Sequence, residues 1–264
     1  MRVVDFGAKG ACIHPSRSAW HTRWFKVVTL LGACMAHSAE IKVMATAAIQ
    51  EAYFELAPEF ERATGHKVVT LWVPTVDVMS RIKDGETVDL VIMAAGSVDE
   101  LIKFGKIVPG SRVDIATSGI GVAVRAGATK PDISSAEALE SALLAAKSIV
   151  YSFGPSGVYL AELFKRMGIA DALKPKLMQV KGEPTGAVVA RGEAEIGFQQ
   201  VCELLPVSGI DFLGPLPASI QKITVIAAGL HVGAREPDAA RALVRFLTAP
   251  AAVPVIRKKG MEPA

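Results

Sequence analysis

Cysteine and histidine are scarce in these 264 residues, with three Cys and five His. Cys12, Cys34, His14, His21 and His37 all precede residue 40, so the chain from residue 40 onward keeps only Cys202, His66 and His231. One cysteine cannot close an internal disulfide, and these three residues lack metal-ligand spacing. No metal site and no cofactor is expected. Neither remaining histidine sits at a strand-end turn, which argues against a Ser-His nucleophile, and Cys202 reads as a small buried hydrophobe. Dinucleotide and nucleophile signatures are missing too. Gly119-Ile120-Gly121 overlaps the start of a strand rather than opening a helix. Gly154-Pro155-Ser156-Gly157 lacks the glycine spacing of a nucleophile elbow, and Ser80 with Lys83 matches S-x-x-K without its companion motifs. There is no internal repeat, low-complexity tract or long linker, and no apolar run is long enough to span a bilayer.

The excess of basic charge is confined to one end. Residues 1–39 carry Arg2, Lys9, Arg17, Arg23 and Lys26 against Asp5 alone, so without them the chain's +3 becomes −1. A near-neutral remainder leaves no nucleic-acid footprint, and no nucleic-acid partner is expected. The first segment itself reads as an export signal. Arg23 and Lys26 precede the apolar run 27–35, and Ala36-His37-Ser38-Ala39 supplies small residues for cleavage after Ala39. Leu31-Gly32-Ala33-Cys34 also fits a lipoprotein box, which would anchor the protein by lipid at Cys34. The long stretch before Trp20 leaves a downstream start codon open. The expectation is a periplasmic protein with no membrane span after processing.

From residue 41 the pattern alternates strand and helix, the signature of an α/β protein with helix-covered parallel sheets. Strands are expected at 41–44, 67–73, 88–93, 120–124, 149–151, 177–180, 196–198, 212–213 and 223–232, with Gly229 a weak point in the last. Helices are expected at 47–64, 75–83, 98–104, 136–147, from 156 onward, 185–191, 199–205, 237–247 and 250–259. Pro58 is expected to kink or divide the first of these.

The most informative stretch is Ile149-Val150-Tyr151-Ser152-Phe153-Gly154-Pro155-Ser156-Gly157-Val158-Tyr159. It reads as a buried strand, a small-residue turn and a helix capped by Ser156, whose apolar stripe is Leu160, Leu163, Phe164 and Met167. Four places repeat this device: Thr46-Ala47-Ala48, Pro74-Thr75, Ser156-Gly157 and Thr185-Gly186. Helix N-termini and hydroxyls can hold an oxyanion without any charged side chain, and in open α/β sheets such turns converge at strand ends. Any one of these residues could equally be a plain helix cap. Trp72 is a candidate pocket wall, Tyr159 a candidate phenol, and Lys181 and Arg191 candidate counter-charges. Gln199 and Gln200, after the strand 196–198, should aim at least one amide into the crevice.

The segment Ala57-Pro58-Glu59-Phe60-Glu61-Arg62-Ala63-Thr64-Gly65-His66-Lys67-Val68 resembles the helix-to-strand segment of periplasmic solute-binding proteins of type II. The order around it is similar to the molybdate-binding subgroup of ABC-transporter receptors, from about residue 41 to the end. The resemblance implies two lobes, each a mainly parallel sheet flanked by helices, joined by two crossing strands, with the ligand shut between them. It places lobe one at 40–118 plus 222–264 and lobe two at 119–221. It implies a small-molecule anion as ligand and an ABC transporter permease as partner. Molybdate receptors typically use a first-turn serine where this chain has Ala48, and a tyrosine where it has Gln200. Their second-turn hydroxyl falls on Thr75, their third-turn backbone contact on Ser156, and a fourth-turn N–H on Pro184, which has none. Fewer oxyanion donors favour a carboxylate over molybdate. Ser156-Gly157-Val158-Tyr159 and Gly197-Phe198-Gln199-Gln200-Val201-Cys202-Glu203-Leu204-Leu205-Pro206-Val207 resemble a branch that includes aconitate isomerases. That likeness implies a small polycarboxylate and, as the alternative to a receptor, an allylic proton shift with Tyr159, Lys181 and Glu183 as candidate acid/base groups.

Overall fold

A computed structural model of the chain describes residues 38–264. Nearly all of the expected leader, including the Cys34 lipid site, lies outside the described residues. The first sheet begins with β1 (Glu40–Ala45), β2 (Lys67–Trp72), β3 (Leu90–Ala94) and β4 (Val113–Ser118), joined through α1 (Gln50–Thr64), α2 (Thr75–Lys83) and α3 (Ala95–Lys103). The second sheet holds β5 (Ile120–Arg125), β6 (Ile149–Ser152), β7 (Leu177–Val180), β8 (Ile196–Gln200) and β9 (Ile210–Pro215). Its helices are α4 (Ala136–Ala145), α5 (Pro155–Arg166), α6 (Ala170–Leu173), α7 (Thr185–Ala190) and α8 (Val201–Leu204). The chain then returns to the first sheet with β10 (Thr224–Leu230), α9 (Pro237–Leu247), α10 (Val253–Lys258) and β11 (Glu262–Pro263).

The strand orders are β11-β4-β10-β3-β1-β2 and β7-β6-β8-β5-β9. Both sheets are mixed, where mainly parallel ones were expected. The pairs β1/β2, β1/β3, β6/β7 and β6/β8 are parallel, whereas β10 and β5 are antiparallel to their neighbours. The antiparallel strands are those next to the two passages of chain between lobes, at 118–120 and 221–224.

Period-two alternation explains the continuous apolar runs of the central strands. In β3, Leu90 and Ile92 join the core under α1 and α9, with Leu56, Phe60, Leu243 and Leu247. Val91 and Met93 join the opposite core, with Val78, Ile82 and Leu101 of α2 and α3. In lobe two, Ile149 and Tyr151 pack with Leu160 and Phe164, while Val150 turns to Val188 and Val189 of α7. Gly229, expected as a weak point, is a contact point: a Cβ there would press on Val98 and Ile107 at 2.8 and 2.9 Å.

Other departures have local causes. Pro58 does not divide α1, because Pro58 and Phe54 both lie on its exposed face, where water can satisfy the freed carbonyl. Strand β4 was not expected; its Asp114, Thr117 and Ser118 break the apolar signal, and pairing with β10 makes it a strand. Helix α5 starts at Pro155 with Gly154 as N-cap, so Ser156 is its second residue and not its cap. Gln199 and Gln200 are the last residues of β8 and do not belong to the helix after it.

Asp89 organises the edge of lobe one. It is 2% exposed, and its carboxylate accepts from the backbone N–H groups of Lys42 (2.7 Å), Arg235 (2.6 Å) and Glu236 (2.9 Å). It thus fastens β1 to the loop before α9. Asp89→Ala would strand three donors and is expected to cost about 3 kcal/mol or more in urea unfolding. An unchanged midpoint would show that water replaces the carboxylate.

Candidate functional site

The parallel strands of both sheets point their carboxyl ends into one cavity of about 300 Å³. Lobe one supplies Thr46, Ala47, Ala48 and Gln50 after β1, residues 72–76 from the end of β2 onward, and Ala94 at the end of β3. Lobe two faces them with residues 152–156, residues 180–184, Gln199, Gln200 and Glu203, and Thr224 and Ile226 lie beside the passage between lobes. Of the expected ligand residues, Thr46, Ala47, Ala48, Trp72, Thr75, Ser152, Ser156, Gln199 and Gln200 are thereby brought together.

Two helix N-termini line this space, α2 from one lobe and α5 from the other. The first N–H groups of α2, from Thr75 and Val76, and that of Ser156 in α5 have no acceptor within their own helices, and their dipoles favour negative charge. Ser152 and Ser156 lie with their hydroxyls 3.3 Å apart, and Ser152 Oγ accepts from Gly154 N–H. Trp72 closes one side, held edge-on to Tyr53 and Phe54 with ring centroids 5.4 Å away in each case.

The remaining expected residues do other work. Gly157 stands behind the cavity, where a Cβ would overlap the Ser152 carbonyl; only glycine lets α5 start this close to β6. Thr185 is fully buried, its N–H and hydroxyl both donating to Gln199 Oε1 at 2.8 and 2.9 Å. Tyr159 is outside the cavity: its hydroxyl donates to the Ile220 carbonyl (2.8 Å) and accepts from Arg166 (3.1 Å). A role in proton transfer has no geometric basis there. Lys181 reaches across the mouth to Asp77 of lobe one at 2.7 Å, and Glu183 pairs with Arg191 at 3.0 Å. Both are exposed at the rim and neutralised there, leaving them poor candidates for acid/base chemistry.

Gln200 lines the cavity while its amide is engaged elsewhere. With Nε2 turned to the Ser118 and Gly119 carbonyls (3.0 and 3.1 Å), Oε1 accepts from the Thr224 hydroxyl (2.8 Å); this orientation is assigned from the partners, since the reverse sets oxygen against oxygen. Gln221 completes the join, accepting from Ile120 N–H (2.8 Å) and donating to the Ile120 carbonyl (2.9 Å). Both passages of chain are therefore stitched together by amides.

Gln50, Thr224 and Glu203 escaped the sequence reading. Glu203 matters most, because burial pushes its carboxyl up to about 7, against opposing hydrogen bonds from the Gln199 side chain and Gln200 backbone. It follows β8 by three residues, which is the one signal that places it near the strand end. Cys202 beside it is buried, its thiol pushed up to about 12 by burial first and by Glu203 second.

Residues 41–262 match the family described as bacterial extracellular solute-binding protein. Over 229 residues the chain is 38% identical to the aconitate isomerase of a Pseudomonas species, covering 84% of this chain and 87% of that protein. It is 31% identical over 250 residues to the molybdate-binding protein ModA of Azotobacter vinelandii, covering 89% of this chain and 96% of that one. Among solved structures, the periplasmic molybdate-binding protein of Azotobacter vinelandii superposes with a TM-score of 0.70 at 22% identity, covering 84% and 98% of the two chains. The sulfate-binding protein SubI from Mycobacterium tuberculosis gives 0.71 at 18% identity, covering 86% and 88%. These structural likenesses establish the two-lobed fold.

The raised carboxyl makes stability depend on pH with a definite sign. Between the ordinary value of 4.5 and about 7 the folded chain holds a proton on Glu203 that the unfolded chain releases. Stability therefore falls as pH rises through this window and is level above it. Glu203→Gln lacks the effect, and is expected to gain about 3 kcal/mol over the parent at alkaline pH relative to its difference at acid pH. Urea unfolding of both proteins at each pH measures it; a pH-independent difference would contradict the burial argument.

Proposed function

The chain belongs to the bacterial extracellular solute-binding proteins, and from that premise we propose that it captures a small carboxylate anion between its lobes for an ABC-type permease. Residues 1–39 export it. The observation that carries this reading is the pair of helix N-termini, one from each lobe, at Thr75 and Ser156, on a cavity with no unpaired cation among the described residues lining it. Such a wall holds anions by oriented N–H groups and hydroxyls, as helix termini do elsewhere. A cavity of about 300 Å³ is at the small end of organic-ligand sites and roomier than a lone tetrahedral oxyanion needs. Ala48 has no hydroxyl, Pro184 no N–H, and the Gln200 amide is held by the passages between lobes. A fully desolvated dianion would miss those donors. A carboxylate ligand, with charge spread over separated groups and carbon between them, suits the mixed wall of Trp72, Ile226 and hydroxyls better.

A second reading has its own support. The 38% identical relative is an aconitate isomerase, and Glu203 is a cleft carboxyl poised near neutrality. An allylic proton shift removes a proton from a carbon beside the double bond, moves the double bond by one position and returns a proton at its far end. That exchange needs one such group over the substrate.

Thermal-shift titration with trans-aconitate, citrate, molybdate, tungstate and sulfate separates the ligand classes. Tricarboxylates are expected to raise the melting temperature; a rise with molybdate alone would overturn the carboxylate assignment. Ser156→Ala and Thr75→Val should each weaken the stabilising ligand about tenfold or more with little change in unliganded stability. Appearance of the cis isomer from trans-aconitate would replace the receptor reading with the isomerase one.

A further inference from the structure

A carboxylate is an odd lining for a crevice that attracts anions. Glu203 faces the cavity from α8 together with Gln199, Gln200 and Thr224. The elements packed on α8 are the helical turn at 47–49, β5, β8, α7 and the turn at Gly260 after α10, where a Cβ would press on Val201 and Leu205. None of them offers Glu203 an unpaired charge: Arg125, at the far end of β5, is exposed, Lys259 beside Gly260 is paired with Glu51 and Glu55, and the others carry no ionisable residue. On its own helix the neighbouring Cys202 thiol is neutral. The charged groups of the rim, Lys181 and Glu183, are joined to Asp77 and Arg191. Among the described residues no unpaired cation is therefore on hand to compensate an ionised Glu203 beside a bound anion.

A neutral carboxyl removes the conflict and adds something a carboxylate lacks, an O–H donor. We infer that Glu203 meets the ligand as a protonated acid, donating its O–H to a ligand oxygen, so that capture of the anion takes up a proton. The inference rests on the carboxylate reading above and extends it: the site recognises its ligand with a proton the protein brings. Burial already holds the free carboxyl near neutrality, so the proton is exchanged with solvent around physiological pH. A bound negative charge deepens the preference for the neutral form. In linkage terms, affinity is level at acid pH and falls as pH rises past the free group's titration point.

Calorimetry with trans-aconitate in two buffers of different ionisation enthalpy, at pH about 6 to 9, tests this on the full folded chain. The parent is expected to take up close to one proton per ligand at alkaline pH, with Kd rising about tenfold per pH unit there. The last carboxyl of a tricarboxylate titrates at the acid end of that range, so the alkaline arm, where trans-aconitate is fully ionised and adds no slope of its own, carries the test. Glu203→Gln keeps an amide donor and should bind without proton uptake and with level affinity. Zero uptake by the parent at alkaline pH overturns the inference, as does equal uptake by parent and variant. Carbon NMR titration of the free protein, with the Glu203 signal assigned by its absence from the variant, is independent of any ligand. Titration at the ordinary glutamate value overturns the inference even if trans-aconitate binds. If molybdate or sulfate binds in place of trans-aconitate, the carboxylate reading falls, and proton uptake with that ion by the parent and not by Glu203→Gln still decides the inference.

Discussion

Two amide side chains set what the rest of this molecule can do. Gln200 and Gln221 tie the two passages of chain to each other and to the start of β5. Each lobe has its own sheet, and Cys202 of α8 is buried in the lobe-one core, so these passages and α8 are where a change in the angle between lobes has to be absorbed. Gly119 sits in the first passage with the Gln221 amide 3.0 Å from where a Cβ would be. A larger residue would push the amide away and loosen the join. Because Gln200 also lines the cavity, the join and the site share a residue. A ligand that alters the polar surroundings of Gln200 thereby acts on the hinge, which is the coupling that lobe closure requires.

The cavity's electrostatics are set by where charge is absent. Formal charges near the mouth are matched to one another across or along the rim, as in Asp77 with Lys181. Inside, positive potential comes from oriented backbone at Thr75 and Ser156. Such donors are fixed by the fold and need no reorganisation when a ligand arrives. Placing them depends on small residues: α5 can begin against β6 only because Gly157 has no side chain to strike Ser152. Glu203 is the exception to this neutral design, and burial shifts it toward the uncharged acid, up to about 7.

Much of the architecture was legible in the sequence where one physical signal dominated. The helix Thr75–Lys83 and the strand Leu177–Val180 lie where the apolar periodicity puts them, and α1 ends at Thr64, before Gly65 in the left-handed conformation (φ 75°). Strand β4 was illegible because its pairing with β10 is a long-range event, and nothing local in Asp114 or Thr117 announces it. At the site, sequence found the turns and missed the allocation of hydrogen bonds. Thr185 and Tyr159 carry the right chemistry in the right neighbourhood, yet Gln199 and Ile220 claim their polar atoms. Glu203 was hidden for the converse reason. A glutamate after a strand reads as solvated, and it is the packing of α8 on the turn at 47–49, β5, β8 and α7 that half-buries it and raises its carboxyl.

A small carboxylate held between the Thr75 and Ser156 turns would be seen at once in a crystal structure of the protein grown with trans-aconitate. One ligand is expected in the cleft, with a carboxylate oxygen within hydrogen-bonding distance of the Ser156 N–H, another group reaching the Thr75 turn, and Glu203 touching a ligand oxygen. An empty cleft at saturating trans-aconitate, or a ligand seated away from both turns, would contradict this placement.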